Sequence, residues 1–412
     1  MFRRNIESRI LRALKDTPVI FINGARQTGK STLVKKIGSE ITNFSYLTFD
    51  DANLLSSATS DPSGFIKNLS GTTVIDEAQK APGLMPAIKL AVDNDRRPGS
   101  FILTGSANIL LLPSVSESLA GRMEIVTLYP LSQGELENSE DGFIDRIFSG
   151  HPFDSSAPSP AGLPVTERIL RGGFPEAFLR TEDDRRNAWY GSYISAVLQR
   201  DIRDMANIEG LAELPRLLAY VAAGTGSIVN MSDMSRGIGL PHSTLKRYLS
   251  FLEMAFLLKR IPAWSANAVK RLVKAPKLYL CDTGLAAHLA GASAQRYARE
   301  PMLRGQLFEN FAALELAKQV TWSTAYGVRL CHYRTGDGRE IDFILENPAG
   351  HVAGVEVKSS VSVGPEDFST LRQLAATLGE RFIKGIVLYA GDRVLPFGDK
   401  MLAVPVWHLW QA

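Results

Sequence analysis

Cysteine and histidine are scarce in this sequence of 412 residues, which contains two cysteines and six histidines. Cys281 and Cys331 are widely separated and the histidines are scattered, so the sequence has neither zinc-site spacing nor a disulfide framework. So few cysteines suit a reducing compartment. We therefore predict a cytoplasmic protein.

Long hydrophobic runs are also missing, since no apolar stretch approaches the ~18 residues that a membrane-spanning helix needs. The N-terminal sequence MFRRNIESRILRALKD places basic residues between apolar ones. That arrangement predicts an amphipathic helix and lacks the apolar centre of a signal peptide. We expect no membrane partner; the alternative is that the N-terminal helix contacts a membrane surface.

Neither sign of charge dominates, because the formal net charge is +3 and the sequence pI is about 8.7. Any contact with nucleic acid must then come from a local basic patch. The hydrophobic share of 45% and the charged share of 22% are those of an ordinary globular protein. The chain is too long for a single core, and two or three domains are expected.

The stretch from Val19 to Thr32, VIFINGARQTGKST, joins a short apolar strand to a glycine-rich loop and a helix start. Gly24, Gly29, Lys30 and Ser31 stand at the G-x-x-x-x-G-K-S/T spacing of a phosphate-binding loop. Lys30 would contact the phosphates of ATP and Ser31 would bind Mg²⁺. The alternative is a strand–turn–helix that holds no ligand. The predicted nucleotide-binding residues are Gly24, Ala25, Arg26, Gln27, Thr28, Gly29, Lys30, Ser31 and Thr32.

A second apolar strand, from Gly71 to Ile75, ends in Asp76 and Glu77. Two carboxylates at a strand end predict a Mg²⁺ ligand in Asp76 and a residue that orients the attacking water in Glu77. The alternative is a solvated acidic turn. Small polar residues follow the next strand from Thr104 to Asn108, where they either sense the γ-phosphate or form a turn.

These motifs, with the sequences GARQTGKST, VIDEAQ, LTGSAN and SLAGR, resemble the bacterial and archaeal AAA-family ATPases that carry a C-terminal domain of unknown function. The resemblance implies a parallel sheet flanked by helices over residues 1–135, and a homo-oligomer. It also implies that Arg122, just before a core strand, completes the active site of a neighbouring subunit. The alternative is a surface salt bridge.

Residues 136–205 are predicted to form a helical lid with a Pro/Ser-rich loop. Within it, Gly173-Phe174-Pro175 resembles a G-x-P element that related signalling-type ATPases place over the nucleotide. Taken alone, this tripeptide predicts only a helix stop.

Residues 206–265 are predicted to form a winged helix-turn-helix. Between Ala206 and Ala275 the sequence holds nine Lys or Arg and four Asp or Glu, a local basic excess that fits double-stranded DNA as partner. The alternative is a domain that only packs or binds protein. The residues predicted to face DNA are His242, Ser243, Lys246 and Arg247.

Residues 266–412 contain a helix and several strands bearing Glu309, Asp342, Glu356 and Lys358, an order that resembles the PD-(D/E)XK nuclease superfamily. The resemblance implies that Asp342 and Glu356 bind Mg²⁺ or Mn²⁺, that Glu309 belongs to the same site, and that Lys358 orients water. Ile341 replaces the proline of the motif. The alternative is a related fold without cleavage. In the preceding strand and helix, KLYLCDTGLAAHL, we expect helix capping and no other chemistry.

The sequence thus predicts an α/β fold class: a P-loop AAA+ ATPase core with a helical lid, a winged helix-turn-helix, and a PD-(D/E)XK nuclease-like domain. The predicted function is Mg²⁺-dependent ATP hydrolysis that acts on DNA and is coupled to a metal-dependent nuclease. The alternative is a nucleotide-gated regulatory or antitoxin-like binding switch that does not cleave DNA.

Overall fold

The computed structural model describes residues 2–106, 119–154, 162–202, 211–266 and 274–411, and it divides into two compact units. The N-terminal unit comprises residues 4–131 and 253–256. The C-terminal unit comprises residues 2–3, 132–252 and 257–411.

A parallel five-stranded sheet with the order β2-β3-β4-β1-β5 forms the centre of the N-terminal unit. Its strands are β1 (Val19–Asn23), β2 (Phe44–Thr48), β3 (Thr72–Asp76), β4 (Phe101–Gly105) and β5 (Met123–Thr127). Every residue of β1 and β4 is buried, as expected for strands covered on both faces. The predicted parallel sheet is confirmed.

Helices flank this sheet because each presents an apolar face to it. Leu33, Val34 and Ile37 on the second helix are buried. The core also includes Phe21, Ile75 and other side chains from the strands. The helices of the N-terminal unit are α1 (Glu7–Ala13), α2 (Lys30–Ser39), α3 (Ala52–Ser60), α4 (Pro62–Lys67) and α5 (Leu84–Asn94).

The C-terminal unit begins with short helices packed around buried aromatic rings. These helices are α6 (Gln133–Glu137), α7 (Phe143–Ser149), α8 (Val165–Arg171), α9 (Pro175–Phe178) and α10 (Asp183–Ala196). The ring of Phe174 lies 5.5 Å from that of Trp189 and 4.9 Å from that of Tyr193. Gly173 and Phe174 separate α8 from α9, so the predicted helix stop is present.

Three further helices and a two-stranded sheet follow in this unit. They are α11 (Leu214–Ala223), α12 (Met231–Ile238), α13 (His242–Met254), β6 (Leu258–Ile261) and β7 (Lys277–Leu280). The turn between α12 and α13 contains Gly239 with φ of +81°, a conformation that glycine adopts without strain. β7 pairs antiparallel with β6 although it follows residue 265, the predicted end of the winged helix-turn-helix.

A mixed six-stranded sheet with the order β12-β13-β11-β10-β9-β8 completes the C-terminal unit. β9 pairs antiparallel with β10, and β10 pairs parallel with β11. The remaining elements are α14 (Thr283–Leu289), α15 (Ala294–Arg299), α16 (Pro301–Trp322), β8 (Arg329–Arg334), β9 (Glu340–Glu346), β10 (Val352–Lys358), α17 (Ser369–Leu378), β11 (Phe382–Tyr389), β12 (Leu395–Pro396) and β13 (Met401–Pro405). Among the described residues, no helix combines the length and apolar character that crossing a membrane requires.

Candidate functional site

The glycine-rich loop lies between β1 and α2, at the carboxyl edge of the parallel sheet. Gly24 has φ of +157°, and a Cβ atom there would lie 2.2 Å from the carbonyl oxygen of Leu128, so a larger residue does not fit. Gly29 has φ of +92° immediately before α2. The loop therefore needs both glycines for its path. The predicted nucleotide-binding residues Gly24, Ala25, Arg26, Gln27, Thr28 and Gly29 form the loop, and Lys30, Ser31 and Thr32 begin α2.

Lys30 is buried, and its Nζ donates hydrogen bonds to the carbonyls of Gly24 at 2.9 Å and Ala25 at 2.8 Å. The amine thus points back into the loop. Arg4 supports the loop from the N-terminal segment, since its Nη1 donates to the carbonyl of Thr28 at 2.7 Å.

Asp76 is the polar centre beneath this loop and is buried. Its carboxylate accepts hydrogen bonds from Ser31 Oγ at 2.8 Å, from Tyr46 Oη at 2.5 Å and from the hydroxyl of Thr104. Burial and the neighbouring Asp76 carboxylate raise the pKa of Tyr46 above its usual range, so the phenol remains a donor. Thr104 therefore orients Asp76, whereas Ala107 and Asn108, also predicted as sensors, lie outside the described residues.

Glu77 adopts a left-handed backbone conformation with φ of +60°, which is unusual for a residue with a long side chain. Its N–H donates to Thr104 Oγ1 at 3.2 Å, and its carboxylate accepts from Gln79 Nε2 at 2.5 Å. Such conformations cost about 1–3 kcal/mol and concentrate at functional sites. Thr104 thus holds the backbone of Glu77, and the Glu77 carboxylate lies beside Gln79 and Ser106.

These residues fit Mg²⁺ and ATP by their chemistry. The loop's glycines leave room for a polyphosphate, and Lys30 supplies a positive charge. Ser31 and Asp76, hydrogen-bonded to each other, are the hydroxyl and carboxylate oxygens that Mg²⁺ prefers. When bound, the ion would neutralise phosphate charge. Glu77 is then the remaining carboxylate for orienting water.

Arg122 forms a two-point salt bridge with Asp93, with Nε–Oδ1 at 2.5 Å and Nη2–Oδ2 at 3.0 Å. The pairing lowers the pKa of Asp93, chiefly through the hydrogen bond from Arg122. The salt bridge anticipated as the alternative is thus present. Arg122 precedes β5, whereas the phosphate loop follows β1, and β1 and β5 are parallel neighbours. Arg122 therefore lies at the edge of the sheet opposite the loop of its own subunit.

The residues predicted to face DNA, His242, Ser243, Lys246 and Arg247, are all exposed on α13. Leu245, Leu249 and Leu252 on the same helix are buried. Helical spacing therefore separates a polar face from the core-facing side, as predicted.

The predicted nuclease-like residues come together in the C-terminal unit. Glu309 projects from α16, Asp342 from β9, and Glu356 and Lys358 from β10. The backbone N–H of Val357 donates to Asp342 Oδ2 at 3.0 Å, and Lys358 Nζ lies 3.2 Å from Glu356 Oε1. We use the term carboxylate cluster for Glu309, Glu340, Asp342 and Glu356.

Lys277 joins this cluster, which the sequence analysis did not anticipate. Its side chain is 3% exposed, and its Nζ lies 2.9 Å from both Glu309 Oε1 and Asp342 Oδ1 and 3.8 Å from Glu340 Oε2. Tyr279 Oη donates to the same Glu309 oxygen at 2.7 Å. The expectation that the segment from Lys277 onward only caps a helix was wrong for this lysine, because β7 carries it into the cluster.

The charges of the cluster are balanced internally. Burial and the nearby Asp342 carboxylate raise the pKa of Glu309 and of Glu356, which disfavours their charged forms. Burial opposes the charge of Lys277, but the carboxylates of Asp342 and Glu309 prevail and raise its pKa. Within the described residues, no three His, Cys, Asp or Glu side chains are arranged to hold a metal ion. Lys277 contacts the Asp342 carboxylate that the prediction assigned to a metal ion, and the metal-binding role of Glu356 stays a prediction.

Asp282 caps α14 as predicted, since its carboxylate accepts from the N–H of Leu285 at 2.9 Å. It also accepts from the N–H of Gly173 at 2.7 Å and from Tyr190 Oη at 2.8 Å. Asp282 thus ties the Gly173 turn to α14. A sequence pattern reveals the cap but not its distant donors.

Family models match three separate parts of the chain. An "AAA domain" matches residues 16–137, a "Domain of unknown function (DUF8612)" matches residues 164–296, and a "Domain of unknown function (DUF4143)" matches residues 304–409. Among solved structures, the Walker-type ATPase of Pyrococcus abyssi is 17% identical with a TM-score of 0.44, covering 70% of this chain and 96% of that chain.

Relatives match nearly the whole chain. The uncharacterized protein Rv2008c of Mycobacterium tuberculosis is 30% identical over 406 residues, which cover 98% of this chain and 83% of the relative. An uncharacterized protein of Haemophilus influenzae is 26% identical over 403 residues, covering 90% of each. With the AAA domain and the glycine loop in place, the chain belongs to the family of Rv2008c, as an AAA-family ATPase with a C-terminal domain of unknown function.

Proposed function

We propose that this protein is an ATP-hydrolysing switch that binds double-stranded DNA as a homo-oligomer and does not cleave it. The observation that carries the proposal is the hydrogen bond of 2.8 Å between Ser31 and Asp76. This hydrogen bond connects the start of α2, next to the glycine-rich loop, with the acidic end of β3. Binding of Mg²⁺ and ATP would therefore change the contacts of both α2 and β3. The cytoplasmic location suggested by the cysteine content stays a prediction.

Conversion of ATP binding into a structural change needs an element that senses the phosphates. Thr104 is suited to this role, because it bonds both the Asp76 carboxylate and the backbone N–H of Glu77. A shift of Asp76 toward a bound ion would therefore move Thr104 and, through its hydrogen bond, the backbone of Glu77. This connection supports a nucleotide-gated switch.

DNA is the proposed partner because α13 presents two basic and two hydrogen-bonding side chains on its exposed face. Contacts of Lys246 and Arg247 with DNA phosphates would contribute affinity for DNA. His242 and Ser243 lie one helical turn before them on the same helix. Ser235 Oγ donates to the carbonyl of Leu240 at 2.6 Å, which closes the turn before α13 and fixes its start.

Replacing both Lys246 and Arg247 by Ala is expected to weaken DNA binding and to lower the slope of log K against log salt by about 2, one per lost phosphate contact. Fluorescence anisotropy with a labelled duplex between low and moderate salt measures both quantities. Lys89→Ala with Arg299→Ala removes the same charge from exposed positions elsewhere and serves as the control. An unchanged slope in the α13 variant would place that helix away from DNA.

Absence of cleavage is proposed because Lys277 bridges Glu309 and Asp342, the carboxylates that a nuclease would offer to a metal ion. Lys358 is likewise engaged with Glu356. The metal-dependent nuclease predicted from the sequence is the second candidate. The nuclease is favoured by the close approach of four predicted residues, Glu309, Asp342, Glu356 and Lys358.

Plasmid incubated with the protein is expected to remain supercoiled in Mg²⁺ or Mn²⁺, whether ATP, a non-hydrolysable analogue or no nucleotide is added. Gel electrophoresis measures nicking, and Asp342→Ala controls for contaminating nuclease, which would persist in that variant. Nicking by the wild type that disappears in Asp342→Ala would establish the nuclease and refute a non-cleaving switch.

A further inference from the structure

The backbone of Lys277 is held by strand pairing, independently of the contacts of its side chain. As the first residue of β7, it pairs with Ile261 of β6 on one side and forms a bridge with Ile228 on the other. The side chain therefore starts from a backbone held at two points. Its ammonium group reaches α16 and β9, which belong to other parts of the unit.

Both oxygens of Asp342 already accept a hydrogen bond in this arrangement. Oδ1 accepts from Lys277 at 2.9 Å, and Oδ2 accepts from the backbone N–H of Val357 at 3.0 Å. Glu309 Oε1 accepts from both Lys277 and Tyr279. Two of the three donors of the Lys277 ammonium group are engaged by Asp342 and Glu309, and Glu340 Oε2 lies 3.8 Å from the same nitrogen.

A divalent ion and this ammonium group exclude each other. Mg²⁺ requires oxygen ligands at about 2.0–2.1 Å. An ion bound by Asp342 Oδ1 and Glu309 Oε1 would share both oxygens with Lys277 Nζ, which lies 2.9 Å from each of them. Repulsion between cations in contact is strong where burial removes water. Only one of the two cations can occupy the space between these carboxylates.

We propose that Lys277 is the resident cation of the carboxylate cluster and keeps divalent metal ions out of it. The C-terminal unit accordingly folds without a metal, and the ammonium group links β7 to α16 and β9. A cavity of about 670 Å³ lies beside the cluster, lined by residues 226–231 and Arg334 as well as Lys277. Space for a hydrated ion is therefore present, and the lysine itself is what excludes one. The inference goes beyond ATP hydrolysis and DNA binding, and its test requires neither activity.

Mn²⁺ titration of the full-length, nucleotide-free protein, with free Mn²⁺ measured by electron paramagnetic resonance, tests the inference. Wild type and Asp342→Asn are expected to bind Mn²⁺ identically, because the cluster contributes no site. Lys277→Met is expected to gain one Mn²⁺ site, about 100-fold tighter than any cluster binding by the wild type, since the repelling charge is gone. The gain should vanish in Lys277→Met combined with Asp342→Asn.

Lys277→Arg is the matched control, because it keeps a cation at the same position and should gain no site. The change in melting temperature on adding Mn²⁺ gives a second readout. Mn²⁺ should raise the melting temperature of Lys277→Met. In wild type and Lys277→Arg, Mn²⁺ should change the melting temperature no more than it does in Asp342→Asn.

Wild-type protein that binds one more Mn²⁺ than Asp342→Asn would overturn the inference, and this comparison stands even if Lys277→Met fails to fold. A folded Lys277→Met variant that gains no Mn²⁺ would overturn it as well. Loss of ATP hydrolysis or of DNA binding in any variant would test the proposed function and would leave the inference about Lys277 unaffected.

Discussion

Lys30→Ala is expected to weaken ATP binding by about 10- to 100-fold, because hydrogen bonds to charged groups contribute about 1.5–3 kcal/mol. The amine projects from the start of α2 into the loop, where it is hydrogen-bonded to the carbonyls of Gly24 and Ala25. Alanine offers the phosphates no charged contact, so binding and turnover should both fall.

Glu77→Gln is expected to keep ATP binding and to lower kcat by about 10²- to 10⁴-fold, the usual contribution of general acid–base catalysis. The amide has the shape of the carboxylate, so the left-handed backbone and the N–H bond to Thr104 can persist. It cannot, however, accept a proton from water. The two variants therefore separate binding from chemistry at neighbouring points of one site.

Calorimetric titration with ATP and a phosphate-release assay measure the two effects. Lys67→Ala and Glu40→Gln repeat the same chemical changes at exposed positions of the N-terminal unit and should behave as the wild type. Hydrolysis at the wild-type rate in both Lys30→Ala and Glu77→Gln would show that this loop is not the ATPase site.

The phosphate loop was predictable because its determinants are local. Gly24, Gly29, Lys30 and Ser31 lie within eight consecutive positions, and a buried strand with an amphipathic helix flanks them. A parallel sheet then brings Asp76 to the same edge without further information. Tyr46 was not predictable, because an alternating strand does not reveal which of its polar side chains will meet a carboxylate.

Lys277 shows where a single sequence stops being informative. Its partners, Glu309 and Asp342, are distant in the sequence, and a lysine at the start of an apolar strand is ordinarily solvated. Its pairing depends on β7 lying beside β6 and close to α16. The predicted domain limit at residue 265 separated those two strands. Lys277 lay within the predicted nuclease-like domain, but no sequence pattern connects it with Glu309 or Asp342.

Arg122→Ala is expected to lower ATP hydrolysis by about 10³- to 10⁵-fold, the range for an arginine finger, while ATP binding stays intact. The pairing of Val19 with Met123 and of Asn23 with Thr127 fixes the geometry. Five residues of strand at about 3.3 Å each separate Arg122 from the phosphate loop by ~16 Å. An arginine side chain cannot cover that distance, so a finger role for Arg122 requires the nucleotide of another subunit.

Arg122 is paired with Asp93, and a finger role requires that a phosphate group of the neighbouring nucleotide takes the place of this carboxylate. Mixing inactive Arg122→Ala with inactive Glu77→Gln should therefore restore part of the activity. The first variant keeps Glu77 and the second supplies Arg122, so some mixed interfaces are complete. Arg97→Ala, which removes an exposed arginine of the same unit, should retain hydrolysis alone. Mixtures that co-assemble by size-exclusion chromatography yet recover no ATPase activity would show that Arg122 serves only its salt bridge with Asp93.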